Sequence, residues 1–446
     1  MTRLPRDFTF GVSTASYQIE GAVDADGRGR SIWDDFCDRP GAIRDSSSGE
    51  VACDSYHRYD EDLTLMSELG VDAYRFSVAW PRVIPEGSGV VNQAGLDHYD
   101  RLVDALCARG IKPCVTLYHW DLPSPLEAEG GWLSRETAQA FGDYTRVVVE
   151  RLGDRVSMWI PVNEPNVHAT LGYATGDHAP GREMGLYALP AMHHLLLAHG
   201  LATMQLRASG ATMIGTATNH QPIWAATDSE ADQGAAQLCD ALYNRMFAEP
   251  MLLGRYPEGF AEMLPGPVAQ DLEIIQTPLD FYGLNYYNPM LVGVPSGNGV
   301  HMVADVPFET RPLSGYPVTD FDWPVVPAGL TEMIMQLTQR YAGHLPPLYV
   351  TENGCAYNIR PDATGRVADA DRIAYYESHL AAVADARNAG ADVRGYFAWS
   401  LLDNFEWAEG YTQRFGLVDV DFETLARTPK DSFAWFADYI KATRGA

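Results

Sequence analysis

Short apolar runs alternate with stretches whose apolar residues recur every three or four positions, and this alternation continues along most of the chain. Eight of the runs predict strands: FTFGVS (8–13), AYRFSV (73–78), KPCVTLY (112–118), VSMWIPV (156–162), TMIGTAT (212–218), DFYGLNYY (280–287), PLYVTE (347–352) and RGYFAWS (394–400). Helical spacing lies between them. Tyr56, Tyr59, Leu63, Met66 and Leu69 form one face of a helix over 55–69, with Gly70 as its stop. Phe141, Tyr144, Val148 and Leu152 predict a helix over 134–152 with Ser134 as N-cap. Ile373, Tyr376, Leu380 and Val383 predict another over 371–389, and 190–205 also reads as helix. Strands apolar on both faces, separated by helices, suit a closed parallel sheet. Eight of them predict an α/β fold, a (β/α)8 TIM barrel, with 1–446 as a single domain.

The spacing between strands is uneven. Long inserts follow the first strand (14–54), the fourth (163–190) and the sixth (288–327). The last contains Pro289, Pro295, Pro307, Pro312, Pro317, Pro324 and Pro327, which predicts ordered loop rather than helix. All three leave the C-terminal ends of strands, where barrel active sites form, and are expected to wall a deep pocket.

Composition is ordinary for a globular protein, with 46 % hydrophobic and 20 % charged residues, which excludes wholesale disorder. Charge is not ordinary: 32 Lys plus Arg against 59 Asp plus Glu give −27. Such a surface repels phosphate backbones and anionic lipid heads, so neither nucleic acid nor membrane is an expected partner. The N-terminal MTRLPRDFTFG lacks the apolar stretch of a secretory leader. Six scattered cysteines without a CxxC pair read as reduced, buried thiols, and the expected location is the cytoplasm.

The chemistry sits where strands end. The fourth strand runs into Asn163-Glu164-Pro165 and the seventh into Glu352-Asn353-Gly354. The third ends in Tyr118-His119-Trp120-Asp121, and the eighth runs into Trp399, followed by Glu406-Trp407. Strands four and seven are three apart on one side of an eight-strand barrel and five on the other, so their carboxylates can face each other across the mouth. Glycoside cleavage needs such a pair: a protonated acid for the leaving oxygen, and an ionised base or nucleophile at the anomeric carbon. Two anions so placed also raise each other's pKa. A structural ion pair at one of them is the competing reading.

Longer motifs narrow this. FTFGVSTASYQIEGA (8–22), DSYHRYDEDLTLMSELGVDAYRFSVAWPRVIP (54–85), TLYHWDLPSPLEAEGGW (116–132), WIPVNEP (159–165), YVTENG (349–354), WSLLDNFEWAEGYTQRFGLVDVD (399–421) and RTPKDSFAWF (427–436) follow one another nearly end to end. In these the chain resembles glycoside hydrolase family 1, the β-glucosidase family. The resemblance implies a retaining mechanism with Glu164 as general acid/base and Glu352 as nucleophile. It implies that Gln18, His119, Trp120, Asn163, Glu406 and Trp407 hold the sugar at the innermost subsite, with Asn163 on the 2-hydroxyl and Trp399 beneath the ring. Arg75, Asn285 and Tyr287 match residues beside the nucleophile, where a cation and a phenol would keep Glu352 ionised.

The resemblance also bears on the substrate. Members that cleave 6-phosphoglycosides carry Ser where Glu406 stands, and thioglucosidases carry Gln where Glu164 stands. A neutral small-molecule β-glycoside is therefore the expected substrate, glucoside first with galactoside and fucoside alongside, and no cofactor or metal is expected. Pro161, Cys355 and Asn288 depart from the usual residues without removing a catalytic atom. Asn166, His178, Tyr316, Trp323 and Glu409 are candidates for the aglycone side. Two other readings compete. One is a metal-dependent barrel hydrolase using the clustered His193, His194 and His199. The other is a carbohydrate-binding protein on an inactive glycosidase scaffold.

Overall fold

The computed structural model describes residues 4–297, 299 and 306–445. Among them, eight parallel strands form one sheet: β1 (Thr9–Ser13), β2 (Ala73–Ser77), β3 (Lys112–Tyr118), β4 (Met158–Val162), β5 (Thr218–Asn219), β6 (Tyr282–Asn285), β7 (Leu348–Asn353) and β8 (Val393–Trp399). Their order is β4-β3-β2-β1-β8-β7-β6-β5. Parallel bridges Trp159↔Ile214 and Asn163↔Ala217 join β4 to the segment leading into β5, and these close the barrel. All eight expected strands are present. β5 is the most contracted, a two-residue strand where the apolar run has seven residues.

The expected helices form at Ser55–Leu69, Arg135–Leu152, Leu189–Ala208 and Ala370–Asn388. Ser134 does occupy the N-cap position of Arg135–Leu152, but its side chain makes no capping bond. Its hydroxyl donates instead to the Glu136 carboxylate at 2.5 Å, a stronger acceptor than the cap offers.

The insert over 288–327 corrects the loop expectation. Among the described residues it contributes two short strands, Met290–Gly293 and Glu309–Arg311, which form a small sheet with Ile223–Ala225. Pro289 and Pro295 flank the first of these strands rather than interrupting it, so they cost no ladder bond. Residues 298 and 300–305 of this insert lie outside the described residues.

The barrel interior is divided along its axis. Ala73, Cys114, Met158, Ile160, Ala217, Phe281, Tyr349 and Phe397 fill the N-terminal end as one apolar layer. Gly11 on β1 lets the Phe397 ring fill that centre, because a Cβ there would collide with it. One step toward the C-terminal end the inward positions turn polar: Arg75, Asn163, Glu164, Asn285 and Glu352, all buried. Burying so many polar groups on one level is costly unless each is hydrogen-bonded, and that level is the floor of the site.

Candidate active site

Alternation along β7 puts Tyr349 and Thr351 inside the barrel, which would turn Glu352 outward. A register shift prevents this. Against β6, Val350 pairs with Leu284 and Glu352 with Asn285, so Thr351 is an extra residue. Such a bulge re-aims the following side chain, and Glu352 faces the cavity. Gly354 follows because a Cβ there would overlap the Trp399 carbonyl. Glu164 is aimed differently. It lies just past β4 with φ +43° and is held by its own N–H on the Ala217 carbonyl at 2.7 Å. Trp120 (φ +81°) and Trp407 (φ +50°) are also left-handed. This conformation costs about 1–3 kcal/mol per non-glycine residue and tends to collect at functional sites.

The two carboxyl groups have unequal surroundings. Glu352 Oε1 accepts from Arg75 Nη1 at 2.5 Å, and Oε2 accepts from the Tyr287 hydroxyl at 2.9 Å. Burial raises its pKa above the ordinary carboxylate range, while Arg75 and Tyr287 pull it back down. Among the described residues no cation touches Glu164. Its Oε1 accepts amide hydrogens from Asn285 at 2.8 Å and Asn219 at 3.2 Å. Burial, and then the negative charge of Glu352, push it up to about 8. These surroundings favour the negative charge on Glu352 and the proton on Glu164.

Both glutamates line a cavity of about 690 Å³, within the usual range for small-molecule sites. His119, Trp120, Tyr287, Trp399, Glu406 and Trp407 line it with them. The Trp399 indole lies nearly parallel to His119, ring centroids 5.7 Å apart. Trp407 packs on Trp120 at 4.7 Å and on Trp33 at 4.6 Å. Glu406 is also pushed up to about 8, by burial first and then by Glu352 and Glu164.

The other expected residues stand behind this surface. Gln18 donates to the Phe405 carbonyl at 2.9 Å and to Glu406 at 3.4 Å, while its Oε1 is buried without a partner. Asn163 Oδ1 accepts from Arg75 at 2.6 Å and Asn285 at 3.2 Å, and Asn163 Nδ2 donates to His119 Nε2 at 3.0 Å. That bond makes Nε2 the acceptor and leaves the proton on His119 Nδ1, buried and unpartnered. Burial and Arg75 hold this imidazole neutral. An unpartnered acceptor on Gln18 and an unpartnered donor on His119 are what a bound polyol can satisfy.

Of the aglycone candidates, His178, Trp323 and Glu409 line the cavity. Asn166 does not; it is buried and donates to the Asn219 carbonyl at 2.7 Å. Tyr316 lies outside the cavity, 41 % exposed. Asn219, Gln221 and Tyr243 were not anticipated. Asn219 ends β5 and bonds Glu164, so the strand-end argument applied to the other strands would have found it. Two of the three clustered histidines are engaged elsewhere: His193 bonds Tyr256 at 2.7 Å and Asp271 at 3.0 Å, and His194 bonds the Trp132 carbonyl. No group of three potential metal ligands occurs among the described residues. Cys355 is fully buried, and burial pushes its thiol up to about 12.

A parallel eight-stranded barrel with two unequal carboxyls in a cavity of indoles, amides and a neutral imidazole defines a glycoside-cleaving class of protein. Comparison with known proteins narrows the class. The family model described as glycosyl hydrolase family 1 matches residues 1–445, and the chain belongs to that family. It is 47 % identical over 440 residues to a β-glucosidase of an Agrobacterium species, covering 98 % of this chain and 95 % of that one. It is 44 % identical over 460 residues to a bifunctional β-D-glucosidase/β-D-fucosidase of Bifidobacterium breve, covering 98 % of each. A solved Thermotoga maritima β-glucosidase in complex with glucoimidazole superimposes with a TM-score of 0.94 at 42 % identity, covering 99 % of this chain and all of that one.

Proposed function

We infer that this protein is a retaining β-glucosidase, releasing terminal β-D-glucosyl units from small glycosides by double displacement. The observation that carries this reading is the asymmetry of the carboxyl pair, with Arg75 and Tyr287 on Glu352 and only amides on Glu164. Glu352 attacks the anomeric carbon while Glu164 gives its proton to the departing aglycone oxygen, and a glycosyl ester forms on Glu352. Esterification removes the Glu352 charge, which lowers the pKa of Glu164. Glu164, now ionised, takes a proton from the water that attacks the same carbon, and Glu352 leaves as carboxylate.

We assign the supporting roles as follows. Trp399 carries the apolar face of the sugar, with Trp120 and Trp407 closing the wall beside it. Gln18, His119 and Glu406 take its hydroxyls. Asn163 offers its second amide hydrogen to the 2-hydroxyl. Arg75 and Asn285 position and charge the glutamates. Fucoside cleavage as a side activity is supported by the bifunctional relative at 44 % identity; galactoside cleavage is proposed beside it. The barrel and its inserts act as a single domain. No helix among the described residues is long and apolar enough to cross a membrane. Six free cysteines, Cys107 exposed among them, suit a reducing, cytoplasmic setting.

The test is a rate comparison on nitrophenyl β-glucoside, β-galactoside, β-fucoside and 6-phospho-β-glucoside. Turnover of the neutral sugars without the phosphorylated one is expected. Silence on all four, with sugar binding retained, would favour a binding protein on an inactive scaffold.

A further inference from the structure

Glu164 is reached by a line of hydrogen bonds that starts on an element outside the barrel sheet. After β5, the helix Glu230–Asp240 widens into a π-helical turn over Ala241–Arg245, a local distortion that recurs at functional sites. Its Tyr243 lines the cavity. The Tyr243 hydroxyl donates to Asn219 Oδ1 at 3.2 Å, and Asn219 Nδ2 donates to Glu164 Oε1 at 3.2 Å.

The backbone around this line is tied down. Asn244 Oδ1 accepts from His220 Nδ1 at 3.0 Å, and Asn244 Nδ2 donates to the Gln221 carbonyl at 2.9 Å. These bonds fix the turn against the end of β5. Asn166, two residues after Glu164, donates to the Asn219 carbonyl at 2.7 Å and to the Tyr243 carbonyl at 3.4 Å. Acid, amide and phenol are thus held in one frame.

Within that frame the Asn219 side chain can present either end of its amide to Glu164. With Nδ2 forward it donates and favours the carboxylate. With Oδ1 forward it accepts and favours the neutral acid. A donor behind the amide selects the first arrangement, and Tyr243 supplies one. Burial first, and Glu164 next, hold this phenol well above its ordinary range, so the hydroxyl keeps its proton. Cys239, which also acts on Tyr243, is pushed up to about 12 by burial and stays a thiol. Glu352, Arg75, Glu406 and Tyr287 interact electrostatically with Glu164. Among the described residues none of these four bonds the Asn219 amide.

We propose that Tyr243 is a positioning residue for the acid/base: its hydroxyl keeps Asn219 turned with Nδ2 toward Glu164, so that a donor is in place whenever Glu164 is ionised. The inference rests on the β-glucosidase reading. In the first step Glu164 gives its proton to the leaving oxygen and becomes an anion, which the Asn219 amide receives. In the second step that anion takes a proton from water. A reversed amide would set an oxygen against the same charge and oppose both steps.

The experiment takes pH–rate profiles on nitrophenyl β-glucoside for the wild type, Tyr243→Phe, Asn219→Ala and the double variant. Tyr243→Phe removes one oxygen and keeps the ring. Its alkaline limb is expected to move up by about one unit, the lower end of what one hydrogen bond to a charged group supplies. On dinitrophenyl β-glucoside, whose leaving group needs no acid, hydrolysis of the glycosyl ester limits the rate, and kcat is expected to fall about fivefold. Asn219→Ala should move the limb the same way. The double variant should move it no further than Asn219→Ala alone, because Tyr243 acts through the amide. An unmoved limb in Tyr243→Phe, whatever its melting temperature, or shifts that add in the double variant, would overturn the proposal. A wild type that does not turn over nitrophenyl β-glucoside would instead overturn the β-glucosidase reading.

Discussion

Arg75 and Glu352 form a buried ion pair, Nη1 to Oε1 2.5 Å, and the same guanidinium reaches Asn163 beside Glu164 at 2.6 Å. One cation thereby acts on two carboxyls, Glu352 and Glu164, and touches only the first. That contact favours Glu352 as the anion of the pair.

The pH dependence follows with a definite sign. Glu164 works only while protonated, and its carboxyl is pushed up to about 8, so kcat/KM falls as pH rises through about 8. Glu352 works only while ionised. Its pKa is raised less, and activity falls again on the acid side as that carboxylate takes a proton. A pH–rate profile on nitrophenyl β-glucoside is expected to be bell-shaped with its alkaline limb near 8. An alkaline limb that stays flat beyond pH 10 would contradict the assignment of the proton to Glu164.

Removing the cation is expected to do more than weaken packing. Arg75→Met leaves Glu352 buried without its counter-ion, which costs a site of this kind several kcal/mol. We expect kcat/KM to fall at least about a hundredfold and the acid limb to move toward neutral pH. Arg75→Lys keeps the charge but loses the fork that also reaches Asn163, so it should recover only part of the rate. Loss of rate with an unmoved acid limb would assign Arg75 a purely structural role.

Glu406 carries a stability signature. Its folded pKa, pushed up to about 8, lies above the unfolded value. Between the two, the unfolded chain has released a proton that the fold retains, so stability falls as pH rises toward about 8. Glu406→Gln removes this loss. Its melting temperature should exceed the wild type's by more at pH 8 than at pH 5, while glucoside turnover drops. A difference independent of pH would show that Glu406 ionises as freely in the fold as in water. Glu406→Ser should also raise turnover of 6-phospho-β-glucoside relative to the parent sugar, by replacing the carboxyl with a small hydroxyl that leaves room for the phosphate and can donate to it.

Glu164→Ala is expected to depend on the leaving group. A nitrophenolate departs without a proton and an alkyl alcohol does not, so the variant should slow alkyl glucosides far more than nitrophenyl ones. Equal losses on both would remove Glu164 from the acid role.

Much of this was readable from the chain. The barrel was, because each strand is an apolar run bounded by helical spacing, and the cavity acids and indoles were, because they sit in motifs at strand ends. What escaped depends on pairing rather than on pattern. The bulge at Thr351 that turns Glu352 inward arises only when β7 is registered against β6. The strand Met290–Gly293 lies among prolines that suggested loop, and is strand because Ile223–Ala225 provides a partner. Asn219 ends a strand only two residues long and Gln221 lies just past it, both beyond the 212–218 run that the apolar pattern marks as strand. Of the two loop aromatics expected on the aglycone side, the hairpin bridged at Val318 and Pro324 carries Trp323 into the cavity wall and leaves Tyr316 outside it.

The central claim is the division of labour between Glu352 and Glu164, and azide rescue tests it most directly. In Glu352→Gly the cavity left by the side chain admits azide at the α-face, while Glu164 still protonates the aglycone. The variant should be inactive alone and, with azide and a nitrophenyl β-glucoside, should yield the α-glucosyl azide. Recovery of the β-azide would mean that the two glutamates have been exchanged, and the account of the site would be wrong.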